Sequence, residues 1–331
     1  MMKIVAGMGS VDDYIDFIKA GADEIFVGYV PEKWQIRYGL KTPLNRREVC
    51  YYNVQIGSES EMEILASIVK KYKYQVPVTI ALNGLSYTPE QYPLIAEIVG
   101  DCVQMGFFSF IVADFALILY LYQCGIGEDI DLHVSGEFGE INHLILGELE
   151  RLGMNRLIFH RKVSMEDMKQ IMCSGVDRQT DTKKEIFYEA FLLNEKCHFH
   201  GGFCNSLHCD EMEPICRLNY RVCKIESGQM QSEKDTNTDT QNWQGEEAMS
   251  GERLKFGGVG ISGCALCQLW KMKQMGITHL KIVGRGAYSE DMIRDIKVVK
   301  KLLLLLEDNI TEDEFIGTVK ANYCNGNCYY L

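Results

Sequence analysis

Residues 109–135 read SFIVADFALILYLYQCGIGEDIDLHVS, and this stretch decides the fold class. Ser109–Phe115 predicts an apolar strand, and Ala116–Cys124 predicts a short helix that ends at Gly125. A second strand is predicted at Asp129–Ser135. The apolar residues of both strands are Val, Ile, Leu and Phe, which is typical of parallel strands that are buried on both faces. The stretch therefore predicts a strand–helix–strand unit of a parallel sheet.

The same alternation continues on both sides of this unit. Six further strands are predicted at Lys3–Met8, Glu24–Val30, Val76–Asn83, Asn155–His160, Glu185–Leu192 and His279–Val283. Helices are predicted between and after them at Val11–Ala20, Glu59–Lys73, Thr88–Met105, Glu140–Leu152, Ser164–Cys173, Cys264–Met275 and Ser289–Glu307. A doubly wound open sheet shows the same alternation, but eight strands favour a (β/α)8 TIM-barrel-like single domain in the α/β class.

The predicted domain organisation places a cysteine-rich insert after the seventh strand. Residues 1–192 hold the first seven strands, 193–263 the insert, 264–310 the last helix, strand and helix, and 311–331 a C-terminal tail with a cysteine pair. Within the insert, residues 226–253 are polar and nearly free of aliphatic side chains. This composition predicts a mobile surface loop.

Charge and hydropathy limit the function classes. The formal net charge is −12, which argues against extensive nucleic-acid binding and leaves room for a local basic pocket that holds a small anionic substrate. Apolar runs such as Leu302–Leu306 are far shorter than the ~20 residues of a membrane-spanning helix. The first residues do not resemble a signal peptide, so we expect a reducing, cytoplasmic location.

Cysteine is the most informative residue type. Nine of the thirteen cysteines follow residue 196: Cys197, Cys204, Cys209, Cys216, Cys223, Cys264, Cys267, Cys324 and Cys328. The odd number and the length of the chain argue against a disulfide framework. Clustered thiolates are the ligands that iron–sulfur clusters and zinc prefer. Zinc remains an alternative because His198, His200 and His208 lie among these cysteines. The spacing of the cysteines matches no common zinc finger, however, and favours an iron–sulfur cluster.

Spacing identifies the candidate ligands. Cys197 and Cys204 have six residues between them, including two glycines, and Cys216 and Cys223 also have six residues between them. Cys264 precedes a predicted helix, whose N-terminal dipole would stabilise a thiolate. Cys324 and Cys328 could close over the site, bind a second ion or remain free thiols.

Polar residues at the ends of the predicted strands form the candidate pocket, because the active site of such a barrel lies at the carboxyl ends of its strands. They are Tyr29, Asn83, Asp114, Glu137, His160, Arg161, Glu189 and Arg285. Glu189 lies inside an apolar strand and needs a cationic partner. We expect Arg161 and Arg285 to form one charged cluster with it and to hold an anionic substrate, unless the ion pair only orients the barrel. Asn83, Glu137 and His160 are the next candidates.

With these motifs the chain resembles the peptidase U32 family along nearly its whole length. The motifs are the strand Ile4–Met8, the segment AGADEIFVG at Ala20–Gly28, Leu82-Asn83, Ile158–Arg161, Glu189-x-Phe191 followed by Cys197-x6-Cys204, and Cys264 sixteen positions before LKIVGR at Leu280–Arg285. The spacing of the third cysteine departs from the family, and Pro214–Arg217 makes Cys216 the best match, with Cys209 and Cys223 as alternatives. Val283 stands where the family usually has Glu, and Cys267 and the Cys324/Cys328 pair are additions.

The resemblance implies a barrel-like fold and a [4Fe–4S] cluster on Cys197, Cys204, Cys216 and Cys264. It implies a redox enzyme that hydroxylates or otherwise modifies a small-molecule, peptide or RNA substrate without oxygen. One alternative is a collagenase-like peptidase, a hydrolase in which the metal is zinc or absent and Glu189 or Glu137 is the general base; the sequence contains neither HExxH nor GxSxG. The other alternative is a non-catalytic, cluster-carrying partner in a heteromeric U32 pair.

Overall fold

Eight parallel strands form a closed barrel in which each strand pairs with the next in sequence and the last pairs with the first. The structure, a computed structural model, describes residues 1–39, 42, 44–46, 54–72, 76–139, 141–174, 185–194, 258–260, 262–324 and 326–330. The strands are β1 Lys3–Met8, β2 Glu24–Gly28, β3 Val78–Leu82, β4 Ser109–Val112, β5 Asp131–Val134, β6 Met154–Phe159, β7 Phe187–Leu193 and β8 His279–Ile282. The predicted (β/α)8 fold is confirmed.

Helices cover the outside of the barrel. In the described residues they are α1 Tyr14–Ala20, α2 Glu32–Tyr38, α3 Glu59–Lys71, α4 Tyr92–Met105, α5 Phe115–Gln123, α6 His143–Arg151, α7 Met165–Ser174, α8 Leu269–Met275, α9 Ser289–Leu305 and α10 Glu312–Tyr323. Two of them, α2 and α10, were not predicted. In α4, for example, the buried residues Ile95, Ile98, Val99 and Cys102 recur at helical spacing and form its apolar face.

Two helices begin four or more residues later than the sequence predicts. Helix α4 begins at Tyr92 rather than Thr88, because Thr88–Gln91 closes a turn: the Gln91 amide donates to the Thr88 carbonyl at 2.9 Å. The helix predicted from Cys264 begins only at Leu269, after a short 3-10 turn at Leu266–Gln268.

The barrel wall closes without the insert. Strand β7 pairs directly with β8, with Glu189 opposite His279 and Ala190 opposite Leu280. The two strands are parallel, so the chain leaves the wall at the carboxyl end of β7 and re-enters it at the amino end of the neighbouring strand β8. Residues 195–257, with the loop predicted at 226–253, lie outside the described residues.

The helices of the described part of the chain were also compared with the length and hydropathy that a membrane span requires. None of them is both long enough and apolar enough to cross a bilayer.

Candidate active site in the barrel

A buried ion network occupies the middle of the barrel. The Lys281 ammonium lies 2.8 Å from one Glu189 oxygen, and the Arg156 guanidinium lies 3.1 Å from the other. Arg156 also contacts both oxygens of Glu24, at 2.7 and 2.8 Å. All four side chains are buried. The expectation that Glu189 is paired with Arg161 or Arg285 is therefore wrong, because Lys281 and Arg156 on the neighbouring strands reach it first.

Strand register explains these partners. Glu189 on β7 lies opposite Ile158 of β6 and His279 of β8, and Arg156 and Lys281 are each two residues away from those positions. Residues two apart in a strand point to the same face, so both cations point into the barrel. The signal was present in the sequence: Arg156 and Lys281 are ionisable residues inside apolar strands, as Glu189 is.

The network keeps Glu189 charged and its histidines neutral. Burial alone would raise the pKa of Glu189, but the charges of Lys281 and Arg156 lower it below its usual value. Burial, assisted by Arg156, lowers the pKa of His279 to about 4. Burial and the same cations hold the pKa of His133 well below its usual value. Two carboxylates therefore face two cations, which is the balance that a buried network needs.

A second charged group lies at the carboxyl end of the barrel. Glu137, in the turn after β5, lies 3.1 Å from the Arg161 guanidinium and 3.6 Å from that of Arg46. Burial would raise the pKa of Glu137, but these two arginines lower it. The Arg161 guanidinium also stacks on the Phe191 ring, 4.0 Å from its centroid. Arg161 is thus held between a carboxylate and an aromatic face.

Arg285 lies on the opposite side of this mouth, where two amide side chains accept hydrogen bonds from its guanidinium. Its guanidinium donates to Asn45 at 3.2 Å and to Gln55 at 3.4 Å, and the two amide side chains exchange hydrogen bonds of 2.9 Å. Gly28 makes room for this group, because a Cβ there would lie 2.1 Å from Arg285 and 1.9 Å from Gln55.

The segment around Asn45 joins the two sides of the mouth. The Arg46 side chain reaches Glu137, and its amide donates to the Asn83 side chain at 3.1 Å. The predicted residues Asn83, Glu137, Arg161 and Arg285 are therefore brought to one mouth, while Glu189 lies in the separate network deeper in the barrel. Sequence reasoning missed Asn45, Arg46 and Gln55, because no strand or periodic apolar pattern precedes them.

Three other rim candidates have different surroundings. The Asp114 carboxylate caps α5 and accepts the Tyr87 amide at 2.8 Å, so it is a structural residue. The Tyr29 phenol is buried, and burial raises its pKa. His160 is buried beside the Glu137 turn, where Gly136 packs on its main chain. Of the three, His160 is next to the charged mouth.

Cys264, the predicted fourth ligand, lies against the end of β7. Its main chain forms β-bridges with Leu193 on one side and Cys328 on the other. The expected stabilisation of a thiolate by a helix N-terminus is absent: burial raises the pKa of the Cys264 thiol to about 12, against a weaker effect of the Leu266 amide, which donates to its sulfur at 3.5 Å.

Four thiols gather in this region. Cys267, Cys324 and Cys328 lie near enough to Cys264 for their negative charges to raise its pKa further. Within the part of the chain that the structure describes, no three cysteine, histidine or acidic side chains are arranged as a metal site. The predicted ligands Cys197, Cys204 and Cys216, and their alternatives Cys209 and Cys223, lie outside the described residues.

Burial favours the neutral thiol of Cys264, but one of its contacts suits a thiolate ligand of an iron–sulfur cluster. Backbone N–H groups that point at sulfur are a usual second shell of such clusters, and the Leu266 amide has this position. This contact is compatible with Cys264 as a ligand of a cluster, and the other predicted ligands lie in the insert.

Comparisons with known proteins place the chain in a family. No curated protein sequence matches it. Among solved structures it is similar to the U32 peptidase Mk0906, with 17% identity and a TM-score of 0.40 over 58% of this chain and 69% of that one. It is also similar to 2,3-dimethylmalate lyase, a member of the PEP mutase/isocitrate lyase superfamily, with 10% identity and a TM-score of 0.42 over 93% and 84%. The family description "Peptidase family U32" matches residues 9–324, and the chain belongs to that family.

Proposed function

We propose that this U32 protein is an oxygen-independent redox enzyme with a [4Fe–4S] cluster on Cys197, Cys204, Cys216 and Cys264. The observation that carries the proposal is the position of Cys264: a buried thiol, bridged to the end of β7, on the side of the barrel where the rim arginines lie. Cys197 follows Asn194 by three residues, and three residues span at most about 11 Å. The sequence thus ties a second ligand to the same edge.

The mouth of the barrel supplies the substrate pocket in this proposal. Arg46, Arg161 and Arg285 are three cations at the mouth, and Glu137 is the carboxylate that pairs with the first two. Guanidinium groups bind carboxylates and phosphates through paired hydrogen bonds. We infer a substrate with an anionic group, which is a small molecule, a peptide or a nucleotide of an RNA. A cluster supplies electron transfer or activation of an oxygen donor, and it requires a reducing compartment such as the cytoplasm.

The peptidase alternative has less support from the geometry. Its general base would be Glu137 or Glu189, and a general base works best with a pKa near the operating pH. Neighbouring cations lower the pKa of both carboxylates below the ordinary value instead. Both are also occupied by ion pairs. The geometry therefore favours roles in orienting arginines and in stabilising the barrel over activation of a water molecule.

Metal analysis tests the proposal. Anaerobically purified protein should be brown and contain about four iron and four sulfide ions per chain, and its charge-transfer absorbance should fade in air. Cys197→Ser, Cys204→Ser and Cys264→Ser should lose the cluster, and Cys216→Ser should lose it where Cys209→Ser and Cys223→Ser keep it. Cys124→Ser and Cys173→Ser are matched controls, because both thiols are exposed on the barrel exterior.

The alternatives predict different results. Stoichiometric zinc without iron or sulfide in a reconstituted sample would contradict the cluster, and hydrolysis of a denatured collagen substrate by the metal-free chain would support the peptidase. Cluster-loaded protein that modifies its substrate only after a second U32 chain is added would assign it the role of a cluster-carrying partner.

A further inference from the structure

A short segment, Asn327–Tyr330, is bound across the carboxyl end of the barrel, and we call it the strap. The Cys264 amide donates to the Asn327 carbonyl at 2.8 Å, and the Tyr329 amide donates to the Cys264 carbonyl at 2.7 Å. Cys328, between them, is the bridge partner of Cys264. Both main-chain polar groups of the predicted cluster ligand are therefore bonded to the strap.

Two tyrosines anchor the strap to β7. The Tyr330 hydroxyl donates to the Phe191 carbonyl at 3.0 Å, and the Tyr329 hydroxyl donates to the Asn194 carbonyl. Both tyrosines are buried. Gly263, which precedes Cys264, packs directly under Tyr329; a Cβ there would lie 2.4 Å from its ring. The strap is thus attached to the carboxyl end of β7 as well as to Cys264.

The opposite side of Cys264 is fixed by the barrel itself. The Ala265 amide donates to the Leu192 carbonyl at 2.8 Å, and the Asn194 amide donates to the Gly263 carbonyl at 2.8 Å. The cysteine therefore lies as the middle of three extended segments, between β7 and the strap. No element of regular helix holds it, so its sulfur is positioned by these two neighbours.

We propose that the strap is a positioning element for Cys264: its main chain fixes the cysteine so that the thiolate faces the iron–sulfur cluster. This rests on the proposed function, because it assumes that Cys264 binds the cluster. The strap acts through its backbone and its two rings, and the thiol of Cys328 is not a ligand. Loss of the strap leaves Cys264 attached on one side only, which loosens one of four ligands.

One pair of variants at a single position tests this. Tyr329→Pro removes the amide that donates to the Cys264 carbonyl, and Tyr329→Phe keeps that amide and the ring. After anaerobic reconstitution we expect Tyr329→Pro to hold several-fold less iron and sulfide than wild type, with a changed electron paramagnetic resonance signal of the reduced cluster. Tyr329→Phe loses only the hydroxyl bond to Asn194 and should hold nearly as much iron and sulfide as wild type, with an unchanged signal. Equal content and an unchanged signal in folded Tyr329→Pro would overturn the proposal.

A second variant covers the case in which Tyr329→Pro does not fold. A chain that stops after Gly326 lacks the strap, and circular dichroism and thermal melting report whether its barrel is intact. A folded barrel with little iron supports the proposal, and a folded barrel with full iron overturns it. Failure of both variants to fold also overturns it, since the strap would then be required by the barrel as a whole.

Cys328→Ser separates the backbone from the thiol. This variant should keep the cluster. Loss of the cluster in Cys328→Ser would show that the Cys328 thiol is itself a ligand. Wild-type protein that binds no iron contradicts the proposed function, whereas cluster-loaded wild type with an indifferent strap contradicts only this inference.

Discussion

At the scale of single residues, the most consequential finding is the partner set of Glu189. A carboxylate inside a strand that is buried on both faces needs compensation, and the sequence alone predicts that much. Which cation supplies it depends on strand register, and register is set by pairing between residues far apart in the chain. Lys281 and Arg156 supply the compensating positive charges inside the barrel. Arg161 thereby remains with Glu137 at the mouth, where it can contact a substrate.

Removal of the Glu189 charge should strongly destabilise the fold. We expect Glu189→Gln to cost roughly 3–5 kcal/mol, because it leaves Lys281 and Arg156 with an uncompensated buried charge. The double variant Glu189→Gln/Lys281→Met should be less destabilised than the sum of the single changes. Urea unfolding at neutral pH measures the free energies of unfolding of Glu189→Gln, Lys281→Met and the double variant.

An exposed ion pair is the matched control. Glu148 and Arg151 form a salt bridge on the surface of α6, with side chains that are 53% and 64% exposed. Glu148→Gln should change the free energy of unfolding by less than about 1 kcal/mol. Equal effects of Glu148→Gln and Glu189→Gln would mean that the barrel network contributes no more than a surface pair.

At the scale of elements, α10 leads the chain into the strap, and its ends are specified locally. Thr311 caps the helix: its hydroxyl accepts the Glu314 amide while the Glu314 carboxylate accepts the Thr311 amide, which is a capping box. Inside the helix, Gly317 is exposed, and nothing lies within 4 Å of the Cβ that it lacks. One residue therefore stabilises the helix and the other weakens it.

Two substitutions in α10 should shift stability in opposite directions. Thr311→Ala should lower the free energy of unfolding by about 1 kcal/mol, because the first-turn amide loses its acceptor. Gly317→Ala should raise it by about 0.5–1 kcal/mol, because alanine restricts the unfolded chain more and is the better helix former. Thermal melting of the two variants beside wild type measures both changes. A stabilising Thr311→Ala would mean that the capping box is not formed in solution.

Features that depend on local sequence were predictable, and features that depend on contacts between distant residues were not. The order of eight strands was predictable, since each strand is a local apolar run with a turn or helix after it. The start of α4 was misjudged at Thr88, where the turn competes with the helix. The extended segment at Cys264 was taken for helix because its conformation depends on Leu193 and Cys328, which lie far away in sequence.

At the scale of the whole molecule, the barrel wall and the insert are separable. Strand β8 pairs with both β7 and β1, so the wall is complete in the described residues. Residues 226–253 are too poor in aliphatic side chains to add a core of their own.

Deletion of Gln229–Ser250 should therefore leave the fold and the cluster content unchanged. The entropy of closing a connection between two fixed points changes only slowly with its length, by about 0.6 kcal/mol for each doubling. Iron analysis and the melting temperature of the deletion variant measure the two properties. A fall in melting temperature of more than a few degrees would show that these residues pack on the barrel.

Closure of the barrel between β1 and β8 has a consequence for how the protein is made. Strand β1 leaves the ribosome long before β8, so one of its edges has no partner until β8 has been synthesised. Such long-range pairing is slow, and an unpaired apolar strand edge is a template for aggregation in the meantime. We therefore expect substitutions that weaken β8 to reduce the yield of soluble protein more than they reduce the stability of the molecules that have folded.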